Sequence, residues 1–147
     1  MTTISAPPAT PVPLHTLAQD SAVWPQGNIN VCIGDYMLRP HQQWAITAVT
    51  NVPGYLGSPY FKITVAGTDR ALAATEEGEV IAVPAFTGAA EQLWRIDQLT
   101  DGTWRIMPKV VPNSKEPLAL SAVGYSTPSL VKFDAKSDKS RWNLKAP

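Results

Sequence analysis

From Leu14 onward the chain is a succession of short apolar runs broken by turn residues, with no long stretch of helical periodicity. Within the runs, apolar and polar positions alternate, which is the period of a half-buried strand. The pattern is clearest in Ala90–Ile106, which reads as a strand, a turn at Asp101-Gly102 and a second strand. Its central piece, Gln92-Leu93-Trp94-Arg95-Ile96, recurs as Gln42-Gln43-Trp44-Ala45-Ile46 and as Ser140-Arg141-Trp142-Asn143-Leu144. In each copy a Trp is followed two places later by Ile or Leu, so both side chains fall on one strand face. The three tryptophans stand 50 and 48 residues apart, leaving room for three units and little else.

The remaining runs divide among these units. The first, about 14–50, holds Val12–Leu17 as a first edge strand, then Ala22–Trp24, Ile29–Ile33 and Gln43–Val49. Pro25-Gln26-Gly27-Asn28 makes its central turn. The second, about 55–99, holds Tyr60–Val65, Ala71–Ala74, Val80–Val83 and Leu93–Gln98, with a turn at Glu76-Glu77-Gly78-Glu79. The third, about 103–147, holds Thr103–Met107, Leu118–Ala122, Ser129–Phe133 and Arg141–Leu144, with a turn at Gly124–Pro128. Phe61-Lys62-Ile63 and Trp104-Arg105-Ile106 open the second and third units alike. About twelve strands with pseudo-threefold symmetry are therefore predicted. One unit alone is too small to bury its apolar face, whereas three can close a common core and leave few open edges. Residues 1–13 carry Pro7, Pro8, Pro11 and Pro13 and read as an extended arm ahead of a single all-β domain over 14–147.

Three Gln-x-Trp-like motifs about 50 residues apart resemble the ricin-B-type β-trefoil. Gln42-Gln43-Trp44 and Gln92-Leu93-Trp94 match the motif, and Ser140-Arg141-Trp142 keeps only the Trp. The stretch 90–105 and the ending Ser140–Lys145 are similar to small cytosolic lectins of mushrooms. That resemblance implies a non-catalytic lectin that binds glycans or glycoproteins in defence. It implies protease inhibition as the alternative, because mushroom inhibitors share the trefoil.

Composition narrows the partners. Twelve basic and twelve acidic residues give a net charge of zero, and no basic stripe stands out, so nucleic acid is not an expected partner. One cysteine, Cys32, excludes an intrachain disulfide. There is no basic segment followed by an apolar stretch at the N-terminus, and no run approaches the roughly 20 apolar residues of a membrane helix. A cytoplasmic protein without membrane insertion is expected. Catalysis has little to stand on. His15 and His41 are the only near-neutral bases, Cys32 sits in an apolar strand, and there is no phosphate loop, metal cluster or nucleophile elbow. Neither a cofactor nor a metal is expected.

The tryptophans themselves read as core, each contributing roughly 2–3 kcal/mol by burial, and the Gln two places earlier as a tie from strand to loop. The resemblance implies a sugar pocket with an Asp that accepts hydroxyl hydrogen bonds and an aromatic ring that stacks on the sugar. Asp20 and Asp69 lie 24 and 25 residues before their Trp, and the third unit has no Asp there. The expected ring position, about twelve before the Trp, falls on Cys32, Ala82 and Leu130, none of which can stack. The candidate glycan contacts therefore move to loop tips: Trp24, Gln26, Asn28, Asn30 and Tyr36 in the first unit, and Tyr125 with Ser126 and Thr127 in the third. Tyr55 and Tyr60 flank a further turn. For the inhibitor alternative, Pro108-Lys109-Val110 is a proline-braced segment that could enter a protease cleft, with Lys109 in the specificity pocket. The proline arm could pair two chains as a homodimer or cover a strand edge.

Overall fold

In the computed structural model the described residues are 3–5, 15–19, 29–35, 43–49, 59–65, 67–111, 118–122, 128–133 and 140–145. They form twelve strands: β1 (Thr3–Ser5), β2 (His15–Gln19), β3 (Ile29–Asp35), β4 (Trp44–Val49), β5 (Tyr60–Val65), β6 (Ala71–Ala74), β7 (Val80–Val83), β8 (Trp94–Gln98), β9 (Trp104–Pro108), β10 (Ala119–Ser121), β11 (Ser129–Val131) and β12 (Asn143–Lys145). One 3-10 turn, Ala90–Gln92, precedes β8.

Four strands belong to each unit, and the pairings repeat with the unit. The last strand of one unit pairs antiparallel with the first of the next: β4 with β5, β8 with β9, and β12 with β1. The registers coincide. Ile46 lies opposite Ile63, Ile96 opposite Ile106, and Leu144 opposite Ile4. Each pair couples the residue two places after a motif Trp to the isoleucine of a first strand. The second and third strands form hairpins, β2 with β3, β6 with β7 and β10 with β11. Three strand pairs and three hairpins around a pseudo-threefold axis are the β-trefoil arrangement.

The core follows from this register. Trp44, Trp94, Trp142, Ile4, Ile63 and Ile106 are each fully buried, and Ile46, Ile96 and Leu144 pack against them. The inward face predicted from Trp and its i+2 partner is the observed one. The indole N–H of Trp94 donates to Leu72 O at 2.8 Å, and that of Trp142 to Leu120 O at 2.8 Å. Both acceptors lie in the second strand or hairpin arm of the same unit. The third strand of each unit also joins its neighbours: Ile29 and Asn30 pair with Ala82 and Ile81, and Glu79 bridges to Ser129.

The first unit differs from its prediction. Its first strand is Thr3–Ser5, within the stretch read as an arm, and its second is His15–Gln19 rather than the earlier Val12–Leu17. β2 lies between β1 and β3 and is not an edge. The reason is closure. Without β1, β12 would lack the partner that β5 gives β4 and β9 gives β8, and the buried Ile4 would be missing from the isoleucine triplet. Ala22–Trp24, predicted as a strand, lies outside the described residues. In the other two units the predicted strands agree with the observed ones to within two residues at each end, and the bounds of β5, β6 and β7 coincide with the prediction.

The two predicted turns that can be inspected are built as their sequences require. At Gly78 (φ 75°) the N–H donates to Thr75 O at 3.1 Å, and at Gly102 (φ 86°) to Leu99 O at 3.0 Å. Both glycines occupy left-handed backbone that a side chain would strain.

Candidate functional site

Gln92 organises the most complete site among the described residues. It is buried, and its Oε1 accepts the Thr87 backbone N–H at 2.8 Å and the Thr87 hydroxyl at 3.3 Å. The motif Gln thus braces the loop 84–89 between β7 and the 3-10 turn, as a strand-to-loop tie should. One residue earlier, the Phe86 N–H donates to Asp69 O at 3.2 Å. That bond joins the β7–β8 loop to the β5–β6 turn. The turn is itself fixed by Thr68, whose hydroxyl donates to Val65 O at 3.0 Å and accepts the Arg70 N–H at 3.1 Å. Asp69 is exposed and Phe86 half-buried. Lys62 Nζ stands 5.3 Å from the Phe86 ring centroid, a cation–π contact that places an ammonium at the same site. The turn that carries Asp69 and the loop that carries Phe86, with Lys62 on its ring, are therefore joined in the second unit.

Phe86 is the residue that counting back from the Trp misses. The position twelve before Trp94, Ala82, is fully buried in β7, and Leu130 is buried in the same place in β11. The aromatic stands eight residues before Trp94 instead, beyond the strand. A sequence signal for it exists: an aromatic stands eight, eight and nine residues before the motif Trp in the three units, as Tyr36, Phe86 and Phe133. In the third unit Arg105, the counterpart of Lys62 in the first strand, lies 5.2 Å from the Phe133 centroid. Ser140 replaces the Gln, and its hydroxyl meets that of Ser121 at 2.8 Å inside the core.

Trp24, Gln26, Asn28, Tyr36 and Tyr125 lie outside the described residues, as do Asp20 and Tyr55. Asn30 lies in β3 opposite Ile81. Pro108 ends β9 opposite Trp94, and the Lys109 N–H donates to Leu93 O at 2.8 Å. Lys109 Nζ rests 5.2 Å from the Tyr60 ring centroid, so this side chain lies against the barrel. Val110 is 40 % exposed and Val111 is buried. The segment proposed as a protease bait is thus held at both ends by backbone pairing and burial.

A second polar group lies on the β8–β9 pair. Arg95 Nε and Arg105 Nη2 both donate to Asp97 Oδ2, at 2.8 and 2.9 Å. At the turn below it, Arg141 Nη1 donates to Asp101 Oδ2 at 2.8 Å. The Asp101 carboxyl also accepts from the Thr103 hydroxyl and N–H, and these bonds, with the Arg141 charge, hold its pKa below the ordinary carboxylate value. Among the described residues no group of three or more metal-ligating side chains converges.

Comparison with known proteins agrees with the architecture. The chain is similar to a designed threefold-symmetric protein, ThreeFoil, with a TM-score of 0.73 and 19% identity over 99% of this chain and 98% of that one. It is similar to the Polyporus squamosus lectin bound to a human-type influenza-binding epitope, with a TM-score of 0.68 and 15% identity over 97% of this chain and 48% of that one. It is also similar to a GlcNAcα1-4Gal-releasing endo-β-galactosidase from Clostridium perfringens, at 0.66 and 15% over 97% of this chain and 31% of that enzyme. At these identities the likeness is one of fold. The chain spans less than half of the latter two proteins. No curated protein matches the sequence. Residues 40–129, which carry two of the three motif tryptophans and the Asp69–Phe86 site, match the ricin-type β-trefoil lectin domain-like family, and the chain belongs to that family.

Proposed function

We propose that this protein is a non-catalytic carbohydrate-binding module whose second unit holds a neutral sugar between Asp69 and Phe86. The observation that supports this reading is the Phe86 N–H to Asp69 O bond, which joins the turn carrying an exposed Asp to the loop carrying an aromatic residue. The carboxylate accepts hydroxyl hydrogen bonds, which are strengthened by its charge. The ring takes the apolar C–H face of the pyranose out of water. Lys62 adds a donor at the ring, and Gln92 keeps the loop in place from beneath, so little ordering is left to occur on binding. Family membership supports the same reading. In the setting the sequence suggests, a mushroom-like lectin of the cytoplasm, the target is a glycan of a foreign organism and the role is defence.

A glycan array probed with tagged protein tests the reading. Saturable signal is expected, and Asp69→Asn and Phe86→Ala should each weaken it at least about tenfold, the loss of one charge-assisted bond or one stacking face. A blank array overturns the proposal. Binding that survives both substitutions moves the site elsewhere.

A further inference from the structure

The β8–β9 pair, where the second unit meets the third, carries basic residues on its outward face. Arg95 and Asp97 are two apart on β8 and share its outward face, and Arg105 stands directly opposite Asp97 on β9. Two guanidinium groups converge on one carboxylate oxygen, Asp97 Oδ2. Arg105 is packed against the Phe133 ring. Its Nε is shielded from water and has no hydrogen-bond partner among the described residues. The side chains of Arg95 and Arg105 are 31% and 26% exposed, so a ligand can reach them. A guanidinium offers its donors as a planar fork suited to a carboxylate or sulfate.

We propose that the outward face of the β8–β9 pair, centred on Arg105 and Arg95, is a second binding site that takes the anionic group of an acidic saccharide. Phe133 packs against the Arg105 guanidinium, and the ligand's carboxylate or sulfate meets the accessible edges of the Arg105 and Arg95 guanidiniums. The saccharide character of the ligand rests on the lectin reading. The anion recognition rests on the arginines alone.

The test follows the arginine Nε–H signals of the full chain by nitrogen-edited NMR at constant ionic strength. The chain is titrated with sodium glucuronate, with glucose 6-sulfate and with glucose. A saturable shift of the Arg105 Nε–H is expected with one or both acidic sugars, and none with glucose. The two acids distinguish carboxylate from sulfate. Arg105→Gln should weaken the binding at least tenfold. Asp97→Asn, which removes the competing charge and leaves both arginines, should tighten it several-fold. Linear shifts without saturation, or unchanged binding by Arg105→Gln, overturn the proposal, as does an Asp97→Asn variant that binds no more tightly. Asp69→Asn should leave this titration unaltered while weakening neutral-sugar binding at least about tenfold, so failure of one site is distinguishable from failure of the other.

Discussion

The indole N–H of Trp94 donates to the backbone carbonyl of Leu72 at 2.8 Å, 22 residues earlier in the chain. The motif Trp thereby joins the last strand of its unit to the second strand, while its ring fills the core. Trp94→Phe keeps an aromatic ring but leaves the Leu72 carbonyl buried without its donor. The expected loss is about 2–4 kcal/mol, from the unsatisfied acceptor and the space vacated. Trp142→Phe should cost about the same, because Trp142 makes the same bond to Leu120. Urea unfolding of the two variants checks both the size and the equality.

Ile4 is fully buried and pairs with Leu144 across β1 and β12. Ile4→Ala is expected to cost about 2–5 kcal/mol, the range for emptying a packed aliphatic site. Removal of residues 1–5 should go further and expose the edge of β12, with loss of cooperative unfolding or association of chains. An arm outside the barrel would tolerate both changes, so thermal unfolding of either variant decides the matter.

Gln92 should matter to binding as well as to stability. Gln92→Leu leaves the Thr87 N–H without its acceptor and unbraces the loop that carries Phe86. A destabilisation of about 1–3 kcal/mol is expected, together with weaker sugar binding. Gln92→Glu keeps an acceptor oxygen and should retain more of both. Calorimetry with a sugar selected from the array, alongside denaturation, separates the two effects.

Asp101 gives a pH dependence of definite sign. The Thr103 hydroxyl, then the Thr103 N–H and the Arg141 charge, depress its pKa in the folded chain. Its contribution to stability is therefore fully present above the pKa of the unfolded chain and is lost as pH falls through the lower, folded value. At neutral pH the contribution does not change. Carboxyl carbon NMR should show Asp101 titrating below the ordinary aspartate value. Thr103→Ala should raise its pKa more than Arg141→Gln, because the hydroxyl bond is the largest cause.

Much of the fold is legible in the chain. Each Trp with its i+2 partner marks an inward strand face, because period two is a local property of an extended backbone. Three such marks at nearly equal spacing define three units, and Gly78 and Gly102 mark turns through conformations that only local chemistry demands. Gln92 could be read as a tie for the same reason: its partner, Thr87, is only five residues away.

Tertiary structure alone decided what depends on distant partners. Thr3–Ser5 is a strand because Asn143–Lys145 needs one beside it, and nothing in three residues ahead of a proline run announces a partner at the other end of the chain. Phe86 joins Asp69 because a backbone N–H meets a carbonyl across two loops. Such a bond leaves no trace in side-chain identity. Arg105 and Asp97 face each other only because β8 and β9 pair in one register. The repeated Trp fixes the scaffold from within each strand, and cross-strand register then selects which of the displayed side chains can act together.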